Sequence, residues 1–228
     1  MEFLNKLLYV PISELPFYLV TLLIAFTVHE FSHAYFAYRF GDPTAKMLGR
    51  VTLNPTVHFD FFGIVLLLIA GFGWARPVPV NRDNFDKPRL MGIIVSVAGP
   101  LSNLLLAVLG SVIYAALLQS GVVSPFMVED KLQQAIHIFF STFIVMNFFL
   151  CLFNLIPLPP LDGYRIVEDL VPRRMLGILH RFEQWSILVF LIILVVPTFR
   201  LYTIVPLYGA ANALAEHFLI FFRVLFGA

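Results

Sequence analysis

Apolar residues gather into long blocks over about 16–40, 91–118, 132–155, 175–196 and 201–226. Each approaches or exceeds the 18 or so residues that read as a bilayer span. Pro16 suits a first helical turn, and Gly41-Asp42-Pro43 stops the first block. Residues 41–60 are polar and partly β-branched (Arg50-Val51-Thr52-Leu53), a pattern that predicts a short hairpin or loop outside the bilayer. Residues 61–75 are apolar again but short and interrupted by Gly63, Gly71 and Gly73, so periodicity leaves them open between a short crossing and a loop that returns. The Pro-rich piece Arg76-Pro77-Val78-Pro79-Val80 follows, and Pro157, Pro159 and Pro160 cut the third block near its end. The pattern predicts an all-α polytopic membrane protein of about five to six transmembrane helices.

Composition agrees. The chain is 60% hydrophobic and 13% charged, against roughly 45–50% and 25% in soluble domains. A net charge of +1 without a basic run removes the electrostatic footprint of a nucleic-acid binder, so no nucleic-acid partner is expected. The single Cys151 excludes an intrachain disulfide and a cysteine-cluster metal site. Residues 1–15 lack the basic start, long apolar run and small-residue cleavage site of a signal peptide.

Chemistry concentrates in the first block as His29-Glu30-Phe31-Ser32-His33. The i, i+4 spacing puts both imidazoles on one helical face with Glu30 about 100° round from His29, a layout suited to zinc. If Arg39 marks the interface, a rise of 1.5 Å per residue sets Glu30 about 14 Å inside. An ionisable residue at that depth costs about 2.5–3.5 kcal/mol on insertion scales and marks a functional site by default. The bland alternative is interhelical hydrogen bonding. A catalytic zinc takes three protein ligands and keeps a position for water, so one ligand is unassigned. Asp162 stands out among the acids because the prolines of 154–163 break the helix there, and broken backbone at membrane depth persists only inside protein or beside a watery cavity. In isolation, the same residue reads as a solvated turn aspartate.

These residues resemble the site-2 protease family of intramembrane zinc metalloproteases. The match rests on His29-Glu30-Phe31-Ser32-His33, Ala98-Gly99-Pro100-Leu101-Ser102-Asn103, the 154–163 segment, and Gly71-Phe72-Gly73 ahead of Trp74-Ala75-Arg76-Pro77, together covering about 20–165. The resemblance implies one zinc per chain held by His29, His33 and Asp162, with Glu30 activating water. It also implies that Asn154 helps hold substrate or the developing oxyanion, and that the glycine-containing segment forms a re-entrant membrane loop. The substrate class it implies is a membrane protein cut within or near its transmembrane segment, in regulated intramembrane proteolysis. The length leaves no room for an inserted PDZ domain, as in the minimal branch of the family. One membrane-embedded protease domain is expected over 1–228, with a catalytic core of about 16–170 and additional helices over about 175–226.

Other residues carry weaker claims. Asn103 and Asn147 read as interhelical hydrogen-bond formers, and His58 as a solvated loop histidine. Glu216-His217, with Arg223 seven residues on, reads as structural pairing or an interfacial helix; His137 and His180 carry no special expectation. The competing function is an ion- or proton-coupled transporter using Glu30, Asp162 and Glu216, although only one block is clearly broken where transporter halves usually show paired breaks. Re-entry of 61–75 puts only Lys6, Lys131 and Arg200 opposite the other twelve of fifteen Lys and Arg, whereas a crossing splits them ten to five. The positive-inside rule therefore predicts the active-site end towards the cytoplasm of a prokaryotic inner or plasma membrane.

Overall fold

A computed structural model describes residues 10–70, 73–124 and 130–227. Gly71 and Phe72 of the glycine-containing segment, and Lys6 and the start of the chain, lie outside the described residues. Among the described residues eight α-helices follow in order: α1 (Leu15–Arg39), α2 (Thr44–Met47), α3 (Phe61–Ala70), α4 (Pro88–Gln119), α5 (Lys131–Asn154), α6 (Asp162–Leu170), α7 (Arg173–Val195) and α8 (Pro197–Leu225). Among them α1, α4, α5 and α8 are long and apolar enough to cross a membrane, and α7 makes a fifth if its two halves, bent by 46°, form one span. The described residues thus carry four to five candidate spans, which meets the expected five to six only at five. The chain is an integral membrane protein.

Each long helix begins where the sequence supplies a start. Pro16, Pro88 and Pro197 occupy first-turn positions, and the Asp130 side chain accepts the Leu132 N–H at 3.0 Å to cap α5. Helices α1, α4 and α5 pack together as the centre. One buried cluster joins Tyr18, Leu22 and Ala25 of α1 to Met146 and Leu150 of α5; a second joins Ala107 and Tyr114 of α4, Ile144 and Phe148 of α5 and Ala211 of α8. Small residues let these backbones approach, as membrane packing requires. A Cβ at Gly110 would sit 2.9 Å from the Phe143 ring.

No strand ladder forms among the described residues between α1 and α4, which corrects the hairpin expected there. The segment instead holds α2, two 3-10 turns and a single isolated antiparallel bridge between Phe59 and Ala75. Short polar side chains outcompete a ladder for the backbone. Asp42 takes the N–H of Thr44, Asn54 that of Thr56 and Asn81 that of Asp83, while Pro43 and Pro55 have none to give.

Candidate metal centre

Helix α1 carries His29, Glu30 and His33, all buried. Asp162 opens α6, directly after the proline-broken link from α5, and its position in the first turn brings its carboxylate back over α1. The Asp162 Oδ2 lies 3.1 Å from His29 Nε2 and 3.3 Å from His33 Nε2, and the two Nε2 atoms are 3.1 Å apart. Three atoms thus make a nearly equilateral triangle whose sides match the edge of a tetrahedron with bonds of about 2.0 Å, the length of zinc–imidazole bonds.

Electrostatics point the same way. The His33 Nδ1 donates to the Val95 carbonyl at 2.7 Å, and the His29 Nδ1 donates to Asn103 Oδ1 at 2.6 Å. Asn103 is oriented in turn because its Nδ2 donates to Ala25 O at 3.3 Å and to Asn147 Oδ1 at 3.1 Å, while Asn147 Nδ2 donates to Phe143 O at 2.8 Å. With both Nδ1 atoms protonated, neutral imidazoles direct two Nε2 lone pairs at a carboxylate oxygen that is buried without a hydrogen bond. Such a cluster of acceptors is unfavourable unless a cation neutralises it. The residues therefore fit a divalent metal. Gly99 of α4 makes the room, since a Cβ there would collide with the His33 ring and lie 2.7 Å from His29 Cε1.

Glu30 stands beside the triangle, and its Oε2 accepts the Val78 N–H at 3.1 Å. The Pro-rich segment carrying Val78 is held by Arg50, itself 4% exposed, whose Nη2 donates to the carbonyls of Arg76 and, at 3.3 Å, Pro77. Burial lowers the affinity of this guanidinium for its proton, and Glu30 is the charge that opposes that shift. At the far end of α6, Arg82 bridges Glu168 at 2.8 Å and Asp169 at 3.1 Å, tying the helix that bears Asp162 to the segment leading into α4. Burial pushes the Asp169 carboxyl up to about 6, against the pull of Arg82. Glu168, His180 and Glu183 form a second group of metal-type side chains, but Arg82 and Arg165 already neutralise its acids.

The structure brings together His29, His33, Asp162 and Glu30. It does not bring Asn154 into hydrogen bonding with them: its Nδ2 donates to Leu150 O at 2.9 Å, back along its own helix. His58 is fully buried, not solvated, because its Nε2 pairs with Thr52 O at 2.8 Å and its own carbonyl accepts the Arg76 N–H. Asn103 both joins helices and orients a metal-type ligand. Glu216 and His217 face outward from α8, and neither forms an ion pair among the described residues. His137 pairs with the Tyr114 hydroxyl and His180 with Glu168. Sequence gave no hint of Arg50, which looks like any loop arginine near a membrane interface.

Apolar spanning helices around a buried His–His–carboxylate triangle with an adjacent glutamate define the class of membrane-embedded metallohydrolases. The chain belongs to peptidase family M50, the site-2 protease family, whose sequence profile matches residues 17–197. It is 50% identical over 194 residues to YwhC of Bacillus subtilis (strain 168), provisionally named a zinc metalloprotease, covering 85% of this chain and 87% of that one. The Rip2 proteins of Mycolicibacterium smegmatis and Mycobacterium tuberculosis (strain H37Rv), provisionally named likewise, are 31% and 27% identical, covering 77% and 85% of this chain and 65% and 74% of theirs. No solved structure matches. The protein is thus a zinc metalloprotease of the site-2 type.

Proposed function

We propose that the chain hydrolyses a peptide bond within or near the transmembrane segment of a membrane-protein substrate, the cleavage step of regulated intramembrane proteolysis, in a prokaryotic inner or plasma membrane. The observation that carries this is the convergence of His29, His33 and Asp162 on one point inside an apolar bundle, with Glu30 alongside. Those three side chains hold one zinc. When bound, zinc polarises the scissile carbonyl and brings the pKa of water towards 7. Glu30 takes the proton of the attacking water and returns it to the leaving amine. Asn154, at the end of α5, holds substrate or the oxyanion; among the described residues its Nδ2 donates to Leu150 O and its Oδ1 accepts no hydrogen bond. Helical backbone hides its carbonyls, so the substrate unwinds locally and docks as an extended strand.

We also propose that the 61–75 segment is re-entrant and that the active-site end faces the cytoplasm. Support comes from its ends: Phe59 bridges Ala75, and the Arg76 N–H donates to His58 O at 2.8 Å. The single protease domain spans the whole chain, with its catalytic core over about 16–170. The transporter alternative has less support, since Glu216 is exposed on α8 whereas Glu30 is buried.

The test is cleavage of single-pass membrane substrates by the detergent-purified chain, with and without chelator, and by Glu30→Gln. Zinc-dependent cleavage lost in Glu30→Gln with metal retained is expected. Cleavage that survives both chelation and Glu30→Gln would overturn the proposal.

A further inference from the structure

We infer that Arg50 is a positioning residue for the general base, acting through the backbone of residues 76–78; the inference rests on the protease reading above. Glu30 sits on a rigid helix, but a glutamate has three rotatable side-chain bonds, and only its Oε2 is tethered, by the Val78 N–H at 3.1 Å. Among the described residues Oε1 accepts no hydrogen bond, which leaves it for water. The tether is as good as the loop that carries it. That loop has prolines at 77 and 79, so it can give few hydrogen bonds of its own: over 76–80 only Arg76, Val78 and Val80 have an N–H.

Two anchors fix it. The Arg76 N–H donates to His58 O at 2.8 Å, and the Arg50 Nη2 donates to the Arg76 and Pro77 carbonyls. The second anchor is the one adjoining Val78. A long, charged side chain buried to this degree, with its Nε unpartnered, is a costly way to hold a surface loop. Its cost is offset if the guanidinium, by gripping the Arg76 and Pro77 carbonyls, fixes the Val78 N–H that aims Glu30. Arg50 contacts none of His29, His33 or Asp162, so metal retention and base alignment separate.

The experiment uses the purified full chain and four variants: Arg50→Gln, Arg50→Lys, Val78→Pro, which removes the N–H that meets Glu30, and Glu30→Asp. Zinc content should stay at the wild-type value in all four. Amide hydrogen exchange over 76–80 should speed up at Val78 by at least tenfold in Arg50→Gln, with or without substrate. Against a single-pass substrate, kcat should fall about 30-fold or more in Arg50→Gln with KM changed less than threefold. Arg50→Lys, which can still reach one carbonyl, should recover part of the loss, and Val78→Pro should match Arg50→Gln. In the Glu30→Asp background, whose shorter carboxylate no longer reaches Val78, Arg50→Gln should cost less than threefold more. A general packing role would instead cost the same factor in both backgrounds. The inference is overturned if wild type cleaves and Arg50→Gln stays within threefold, if the loss repeats in full beside Glu30→Asp, or if Val78 exchange is unchanged. Should Arg50→Gln fail to fold, Val78→Pro and Arg50→Lys decide alone, wild-type kcat in both refuting it. If wild type itself shows no zinc-dependent cleavage, the protease reading fails, and the exchange result still judges the Arg50–Val78 link.

Discussion

Asn103→Ala tests whether polar contacts beyond the metal ligands set zinc affinity. The substitution removes the acceptor of the His29 Nδ1–H, a bond of 2.6 Å, and the donor to Asn147 Oδ1. Losing such a partner typically weakens metal binding 10–100-fold, or about 1.4–2.7 kcal/mol, because the imidazole loses its fixed tautomer and orientation. A second cost falls on the fold. Asn147 is fully buried, and its stranded Oδ1 carries about 1–3 kcal/mol of desolvation, although hydrogen bonds between membrane helices average nearer 0.6 kcal/mol in double-mutant cycles. Competition with a fluorescent zinc chelator in micelles reads the first cost, and thermal unfolding of the metal-free chain followed by circular dichroism reads the second. Asn147→Ala separates them, since it keeps the His29 bond: zinc affinity should change less than threefold while stability falls about as much as in Asn103→Ala. The reasoning is refuted if Asn103→Ala binds zinc within twofold of wild type, or if Asn147→Ala weakens it equally.

His33→Ala and Asp162→Ala should each abolish stoichiometric zinc after chelation and reconstitution, measured by elemental analysis; full metal in either would displace that residue from the ligand set. Gly99→Ala should lower zinc affinity about tenfold or more, because its Cβ cannot coexist with the present His33 ring position, and unchanged affinity would mean that α1 and α4 yield without disturbing the site. For Asp169, burial holds the folded-state pKa at about 6, above its ordinary 3.8, so the folded chain keeps a proton that the unfolded chain has lost. The resulting stability is present below pH 4 and disappears as pH rises through 6, roughly 3 kcal/mol at most. Thermal inactivation should therefore ease as pH drops from 7 to 5, and Asp169→Asn should flatten that slope; an equal slope in the variant would assign the effect elsewhere.

The part of the site that a reader of sequence finds is the part that one helix delivers. His29, Glu30 and His33 share a single periodicity, so their mutual placement follows from 3.6 residues per turn before any packing is known. Asp162 was legible only through the prolines around it and the family resemblance, because nothing local tells a turn aspartate from a ligand. Asn103 stayed ambiguous for a related reason: an asparagine in an apolar helix has the same sequence signature whether it meets a backbone carbonyl or a histidine. His58 and Arg50 were opaque. Both lie in a polar segment that pairs with Arg76 and Pro77, a long-range contact without local trace. The expected hairpin failed there because Asp42, Asn54 and Asn81 satisfied the backbone within single turns.

The short helix α3 decides whether these pieces can meet. Ten residues at 1.5 Å each give about 15 Å, half of a hydrocarbon core of about 30 Å. The two flanks of the segment lie side by side, because the bridge between Phe59 and Ala75 and the bond from Arg76 to His58 join them. Gly63 lies so close to the backbone of Trp74 that any Cβ would overlap it. A full crossing by these residues would invert α4 and α5, and the end of α5 that leads into Asp162 would sit at the opposite face from the end of α1 that carries His29 and His33. The observed distances of 3.1 and 3.3 Å between Asp162 and the two histidines require both ends on the same side. The closed metal triangle is the arrangement that the proposed re-entry of 61–75 would produce, and the piece that follows that segment delivers Val78 to Glu30.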